Sequence, residues 1–368
     1  MWRIKESIRK GAGLLLFLVL LGAIPGPMPA QTNEVNWTQM FPLQHPEKRQ
    51  DLALAYDAIR KQVVLFGGHN ASNIMSDTWV WGGSNWTQMH PAQSPSLRFD
   101  HAMVYDAVHG QVVLFGGANT SGSTIVPLGD TWLWDGSAWT QAHPAQSPSA
   151  RYVHSMAYDS AHGQVVLFGG FDNSLTYNDT WIWDGTTWKQ MAPAQSPPMR
   201  AQHAMAYDAM HGQTLLFGGN ADNYLNDTWI WDGSNWTQRT PAQSPSARGQ
   251  HAMAYDAAHG QIVLFGGYGN LSDTWIWDGS NWIQANPAQK PSARWAPAMA
   301  YDESHAQIVL FGGYAYSGDW QSDTWIWTKK PEIVFLPIVI SSSGMNGSFL
   351  TSELILTNRA KGSVISNP

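Results

Sequence analysis

The sequence contains no cysteine, which excludes disulfide bonds, thiolate nucleophiles and cysteine-ligated metals outright. It is poor in charge: 13% of its 368 residues are Asp, Glu, Lys or Arg, and the acids outnumber the bases by 27 to 20, for a formal net charge of −7. A phosphate-binding surface needs a basic excess, so this balance argues against a nucleic-acid partner. Long apolar runs are also missing. The longest, GLLLFLVLLGAI at Gly13 to Ile24, is shorter than the ~20 residues of a membrane-spanning helix. It follows Arg3, Lys5, Arg9 and Lys10 and precedes PGPMPA ending at Ala30, the layout of an export signal over residues 1–30. Met28 stands where a small residue is expected before the cut, so an uncleaved or lipid-linked form stays open. A secreted, periplasmic or cell-surface protein without a membrane span in its mature chain is expected.

What the sequence has in quantity is Trp, Gly and Pro, at 21, 34 and 21 residues, the composition of a turn-rich β protein with a large aromatic core. The phrase Phe-Gly-Gly begins at Phe66, Phe115, Phe168, Phe217, Phe265 and Phe311, at offsets of 49, 53, 49, 48 and 46 residues. One unit is therefore written six times. In Arg200 to Gln238 it reads RAQHAMAYD, a turn HGQ, TLLFGG, a variable loop, then DTWIWDGSNWTQ, and a linker PAQSPSAR leads to the next copy. Each copy holds four short apolar or alternating runs with turn signals between them, hence four strands. Asp232-Gly233-Ser234-Asn235 is a hairpin loop, and the tryptophans supply large indoles to both faces of the sheet. Six four-stranded sheets around an axis make an all-β propeller over residues 31–328.

The period, with Gly-Gly, then Asp-Thr-Trp, then a second Trp, resembles the kelch repeat of secreted bacterial, galactose-oxidase-like propellers, over roughly residues 36 to 328. The WD-type propeller has a period of about 40 to 45 residues, shorter than every offset here. The sixth copy lacks its last strand after Trp327, and Asn36-Trp37-Thr38-Gln39 precedes the first, so the N-terminus is expected to complete the sixth blade and close the ring, as the resemblance implies. Residues 329–368, with IVFLPIVI and SFLTSELILTN, read as a short β segment, either packed on the propeller or belonging to a truncated sandwich domain.

Strand order places two sets of loops at opposite ends of the ring. One end carries near-identical turns, HGQ at His109, His162, His211 and His259 and DGSN, which favours a structural reading. The other carries loops that differ in length and are rich in Asn, Ser and Tyr, a composition suited to a binding surface with rigid aromatic anchors. Tyr177, Tyr224, Tyr268, Tyr314, Tyr316 and Trp320 are the candidate anchors, and a protein or glycan is the expected partner of a monomer.

The linkers deliver Arg49, Arg98, Arg151, Arg200, Arg248 and Arg294 to the same end. Of these, Arg98, Arg151, Arg200 and Arg248 are candidate ligand contacts at the channel mouth, because kelch domains that bind peptides use arginines at the matching position. The competing reading is six internal ion pairs with the aspartates of Asp-Thr-Trp. His101, His154, His203 and His251 form a parallel series, broken at Leu52 and Pro297, and are expected to be satisfied inner-strand histidines rather than metal ligands.

Catalysis has to break the sixfold repeat. The acids outside repeated slots are Glu47, Asp51, Asp100, Asp172, Asp222, Glu303 and Asp319. Asp172 and Asp222 are candidate ligand-binding residues, and an enzyme acting on sugars, similar to a sialic-acid epimerase, would draw its acid or base from Asp172, Asp222 or Asp319 beside Arg151 or Arg200. The copper site of galactose oxidase needs a tyrosine crosslinked to cysteine, so none of its residues carry over. No catalytic residue, metal or cofactor is assigned. A binding propeller is the leading expectation, with the enzyme and a structural spacer of a longer surface protein as alternatives.

Overall fold

The computed structural model describes residues 35–329; the expected export signal and C-terminal β segment fall outside the described residues. Among the described residues there are six four-stranded antiparallel sheets, the blades of a propeller. Blade 4 shows the plan: Ala204–Asp208 innermost, then Gln213–Phe217, Thr228–Trp231 and Trp236–Arg239. Tyr207 pairs with Thr214 and Trp231 with Trp236 in its ladders. Blade 6 is closed as expected: Val35–Met40 pairs antiparallel with Thr324–Lys329, outside Gln307–Phe311 and Ala298–Asp302.

After its leading glutamine the second strand of each blade is an apolar run, interrupted only by Thr214 in blade 4, because both of its faces are covered by neighbouring blades. Leu215, Leu216 and Phe217 have no exposed surface, and burial of such side chains contributes about 1.5–3 kcal/mol each. The three tryptophans of a copy have three different jobs. Trp229 donates its indole N–H to Asp227 of its own blade at 2.7 Å. Trp231 is core. Trp236 reaches across to the preceding blade, where its N–H meets Thr180 Oγ1 at 2.9 Å and its ring lies edge-on to Phe168. Trp37 makes the same pair of contacts from the closing strand, to Thr274 and Phe265. The blade-to-blade glue is thus a repeated Trp–Thr–Phe contact that runs all the way round.

The two glycines of each Phe-Gly-Gly are required by the neighbouring backbone. At Gly218, φ is +64° and a Cβ would lie 2.7 Å from the carbonyl oxygen of Arg248. At the end with uniform turns, His109, His162, His211, His259 and His305 each bond a buried aspartate of the Tyr-Asp step at 2.7–2.8 Å, and Arg60 replaces histidine in blade 1. Those turns are structural, as the sequence suggested.

Two small additions were not legible in the sequence. The long blade 2 loop folds into a hairpin, Ala118–Ser121 with Thr124–Pro127. In blade 6, Arg294–Trp295, Tyr314–Ala315 and Asp319–Trp320 form a three-stranded sheet.

Candidate functional site

At the end with variable loops the six arginines lie beneath the surface. Arg200 is fully buried, and its guanidinium grips Asp227 through Nη1 and Nη2 at 2.7 and 2.8 Å while Nε and Nη1 also donate to the carbonyls of Pro198 and Gly218. Arg98, Arg151 and Arg248 repeat this arrangement with Asp130, Asp179 and Asp273. Burial alone would raise the carboxyls of Asp77, Asp130, Asp227, Asp273 and Asp323, but the arginine hydrogen bonds and charge outweigh it and hold them below the usual range. Every guanidinium nitrogen is spent. The four candidate arginines therefore position the loops, and the surface a ligand would meet is made by other residues.

Two residues past each arginine the chain enters a left-handed backbone. Asp51, Asp100, Val153, Gln202, Gln250 and Ala296 all have φ between 52° and 60°. This turn aims each N–H at the carbonyl of the equivalent residue in the preceding blade: Asp100 to Asp51, Val153 to Asp100, Gln202 to Val153, Gln250 to Gln202, Ala296 to Gln250 and Asp51 to Ala296, at 2.7–3.2 Å. Six hydrogen bonds thus close a circle around the axis. The ring and the residues that follow it line an axial cavity of about 140 Å³.

Its walls combine Asp51, Asp100, Gln202 and Gln250 with His101, His154, His203 and His251. These histidines correct the expectation that they would be satisfied. Each is only 5–6% exposed, and neither ring nitrogen has a hydrogen-bond partner. Their rings stand edge-on to Phe66, Phe115, Phe168 and Phe217, which fixes their planes but offers no acceptor. The Phe carbonyls lie close enough to pull the imidazoles up slightly, without hydrogen-bond geometry. Burial, reinforced by the arginines beneath, dominates: His154 and His251 are pushed down to about 3, and His101 and His203 well below their ordinary value. All four are neutral.

The acids at the axis are Asp51 and Asp100, in adjacent blades. Asp51 Oδ2 accepts from Gln50 Nε2 at 2.8 Å and lies 3.0 Å from His69 Nε2. Burial and the charge of Asp51 raise the Asp100 carboxyl well above its ordinary range. The acids favoured by the sequence lie elsewhere. Asp319 is exposed and paired with Lys48 at 2.8 Å, Asp222 is exposed, and Asp172 accepts from the Tyr177 hydroxyl. None of the three lines the cavity, whose only acids are Asp51 and Asp100. Both were visible as acids outside the repeat but were not paired; the signal that could have paired them is their shared slot two residues past an arginine.

The aromatic anchors do converge. Tyr224 packs on Tyr268 at 5.6 Å between ring centroids, Tyr268 on Trp295 at 5.4 Å, Trp295 on Tyr314 and Tyr316 at 4.7 and 6.4 Å, and Tyr314 on Trp320 at 4.8 Å. The cluster runs across blades 4 to 6. Trp295, its centre, was not singled out; it follows the blade 6 arginine in the one linker that reads Arg-Trp-Ala-Pro. Tyr177 stands apart, with the Arg151 guanidinium 3.9 Å from its ring centroid. A larger open hollow of about 480 Å³ on blade 1, beside Arg49 and Asp77, contains no buried unpartnered polar side chain. Among the described residues no group of three or more His, Asp or Glu could hold a metal ion, and no helix is long and apolar enough to cross a membrane.

None of the curated proteins compared with this chain matches it. Among solved structures, the one titled "Structure of YjhT" superposes with a TM-score of 0.59 at 14% identity, over 77% of this chain and 96% of that one. At that identity the likeness establishes the fold alone. The family model described as the KLHDC2/KLHL20/DRC7 Kelch-repeats domain matches residues 53–240, just over half of the chain. With six blades, buried Arg–Asp pairs and a ring closed by its own N-terminal strand, the chain belongs to the kelch-repeat family.

Proposed function

We propose that this protein is an exported, monomeric binding module that engages a protein or glycan partner through the face built from its variable loops. One observation carries the reading: five of the six anchor candidates, Tyr224, Tyr268, Tyr314, Tyr316 and Trp320, join Trp295 in one aromatic cluster that a folded core does not require. Tyr268 and Tyr316 keep 48% and 60% of their surface exposed. Aromatic side chains of this kind give large contact area for little conformational entropy, which is why they concentrate at recognition surfaces. Support for export comes from residues 1–30, whose basic, apolar and small-residue sections follow the order of a signal.

The reading is tested by probing displayed-peptide and glycan arrays with the full chain and with a Tyr268→Ala/Tyr316→Ala/Trp320→Ala variant. Binding by the parent that drops at least tenfold in the variant, at a melting temperature within a few degrees, is the expected result. Binding that survives all three substitutions would place the interface elsewhere and end the proposal.

A further inference from the structure

The axial cavity poses a chemical question that the sixfold scaffold does not answer. Two neighbouring carboxylates, Asp51 and Asp100, share it with four histidines that are at least nine-tenths buried and wholly unpartnered. Leaving a buried polar group without a partner is unfavourable, so a cavity with this lining favours an occupant that hydrogen-bonds. The lining contains no lysine or arginine. The arginines below are already neutralised by their aspartates, and Lys48 is engaged by Asp319. An ionised carboxylate accepts only, each neutral imidazole presents one lone pair beside its one N–H, and Gln202 and Gln250 each offer an amide oxygen and an amide NH2. Each of these polar side chains therefore offers at least one acceptor, the acids are the only source of charge in the lining, and the chain as a whole carries −7.

An anion would meet two carboxylates, and the donor groups do not cluster as a metal requires. An ammonium or guanidinium carries the charge opposite to the acids and has several N–H donors for the carboxyl oxygens, the imidazole lone pairs and the glutamine oxygens. The volume fits as well. At about 140 Å³ the cavity is close to the ~150 Å³ of an engineered cavity that admits benzene, enough for the tip of one long basic side chain but not for a folded element. The cavity also adjoins the aromatic cluster. Ala296, which lines it and accepts from the Asp51 N–H, follows directly on Trp295. A chain segment lying on Trp295, Tyr314 and Trp320 would have the axial acids next to it.

We propose that the axial cavity is the docking pocket for one cationic side chain, a lysine ammonium or an arginine guanidinium, carried on a peptide segment whose apolar flank lies on the Trp295 aromatic cluster. The inference rests on the loop face being the binding face, and it names the partner class as a protein with a basic residue beside aromatic or aliphatic ones. Asp51 and Asp100 supply the attraction, the imidazole lone pairs accept further N–H donors, and the hydrogen-bonded ring fixes the mouth in place before binding. Arrival of a cation also offsets the charge of Asp51 that holds the proton on Asp100, so Asp100 gives up its proton on binding.

The test is selection of peptides from a random displayed library on the full chain, with a glycan array run in parallel. The expected consensus carries Lys or Arg flanked by apolar residues. A synthetic peptide of that consensus should lose at least tenfold in affinity when its basic residue becomes Ala, when Asp100→Asn is made in the protein, and when salt is raised. Asparagine is isosteric with aspartate and tolerates the left-handed backbone there, so the variant should keep its melting temperature. Val153→Lys is a second probe: it sets a competing ammonium in the cavity wall and should block the peptide even if the Asp100 variant folds poorly. Peptides without a basic residue, or peptides indifferent to Asp100→Asn and Val153→Lys, would overturn the proposal, and their loss with the Tyr316 and Trp320 variants would leave the aromatic face standing. Glycan binding without any selected peptide also overturns it, the partner then being a carbohydrate. Silence in both arrays removes this inference and the binding-face reading together.

Discussion

Acidification from pH 7 to pH 5 should destabilise this propeller through its axial histidines. An ordinary unfolded histidine titrates at 6.5, whereas folded His154 and His251 are held near 3. The folded pKa of a base is depressed here, so the unfolded state binds more protons between those values; stability is full above pH 6.5 and falls as pH drops towards 3. Over the two pH units the difference approaches one proton per histidine, which at ~1.4 kcal/mol per proton per unit removes about 2 kcal/mol for each, or about 4 kcal/mol for the pair. His101 and His203 shift in the same direction and add to the loss. Asp100 opposes it, because its raised folded pKa lets the native state keep a proton that the unfolded chain releases. The clean measurement is therefore a difference between variants. His154→Leu/His251→Leu installs the residue that blade 1 already carries at Leu52, and it removes four unpartnered nitrogens, so stability at pH 7 should hold or rise. Urea unfolding followed by tryptophan fluorescence at pH 7, 6 and 5 should show the variant losing about 4 kcal/mol less than the parent over that range. Parallel pH profiles for the two proteins would refute the reasoning, since they would mean that the folded imidazoles titrate as freely as unfolded ones.

Two further outcomes test the scaffold. Arg200→Ala leaves Asp227 with only the Trp229 N–H and removes the guanidinium bond to the Gly218 carbonyl, and loss of one partner from such a pair costs about 3–5 kcal/mol, read as a lower thermal midpoint, whereas an unchanged midpoint would mean the arginine is free for ligand. Trp37→Ala empties a fully buried site in the closing strand and severs the bond to Thr274, so a loss of about 3–5 kcal/mol is expected in denaturant unfolding; a near-neutral result would show that blade 6 does not depend on that strand.

The architecture was legible because it is repeated. One Phe-Gly-Gly and one Asp-Thr-Trp would be weak evidence, but six at nearly constant offset fix blade number, strand count and the role of Asn36-Trp37-Thr38-Gln39 in closure. The six-to-six match of arginines and aspartates was legible for the same reason, and the structure joins every pair. The site was less legible. Asp172, Asp222 and Asp319 looked eligible because they lie outside the repeat, yet that property does not say how far a residue sits from the axis. Asp51 and Asp100 met the same criterion and are the ones the ring brings together. Trp295 hid inside a linker whose other copies carry nothing aromatic at that position except Tyr152 and Phe99.

By itself, then, the sequence determined the local and periodic features: four strands per copy, the glycines that let neighbouring backbones approach, the tryptophans that face both ways, and closure of the ring. These follow from side-chain period and turn chemistry, which act over a few residues and recur. Only the tertiary structure decided which residues from different copies share a surface. The circle of left-handed residues, the unpartnered histidines facing the axis, the Asp51–Asp100 pair and the cluster around Trp295 are all made by residues tens to hundreds of positions apart. Their meeting depends on how the blades rotate about the axis, a geometry no stretch of the chain carries alone.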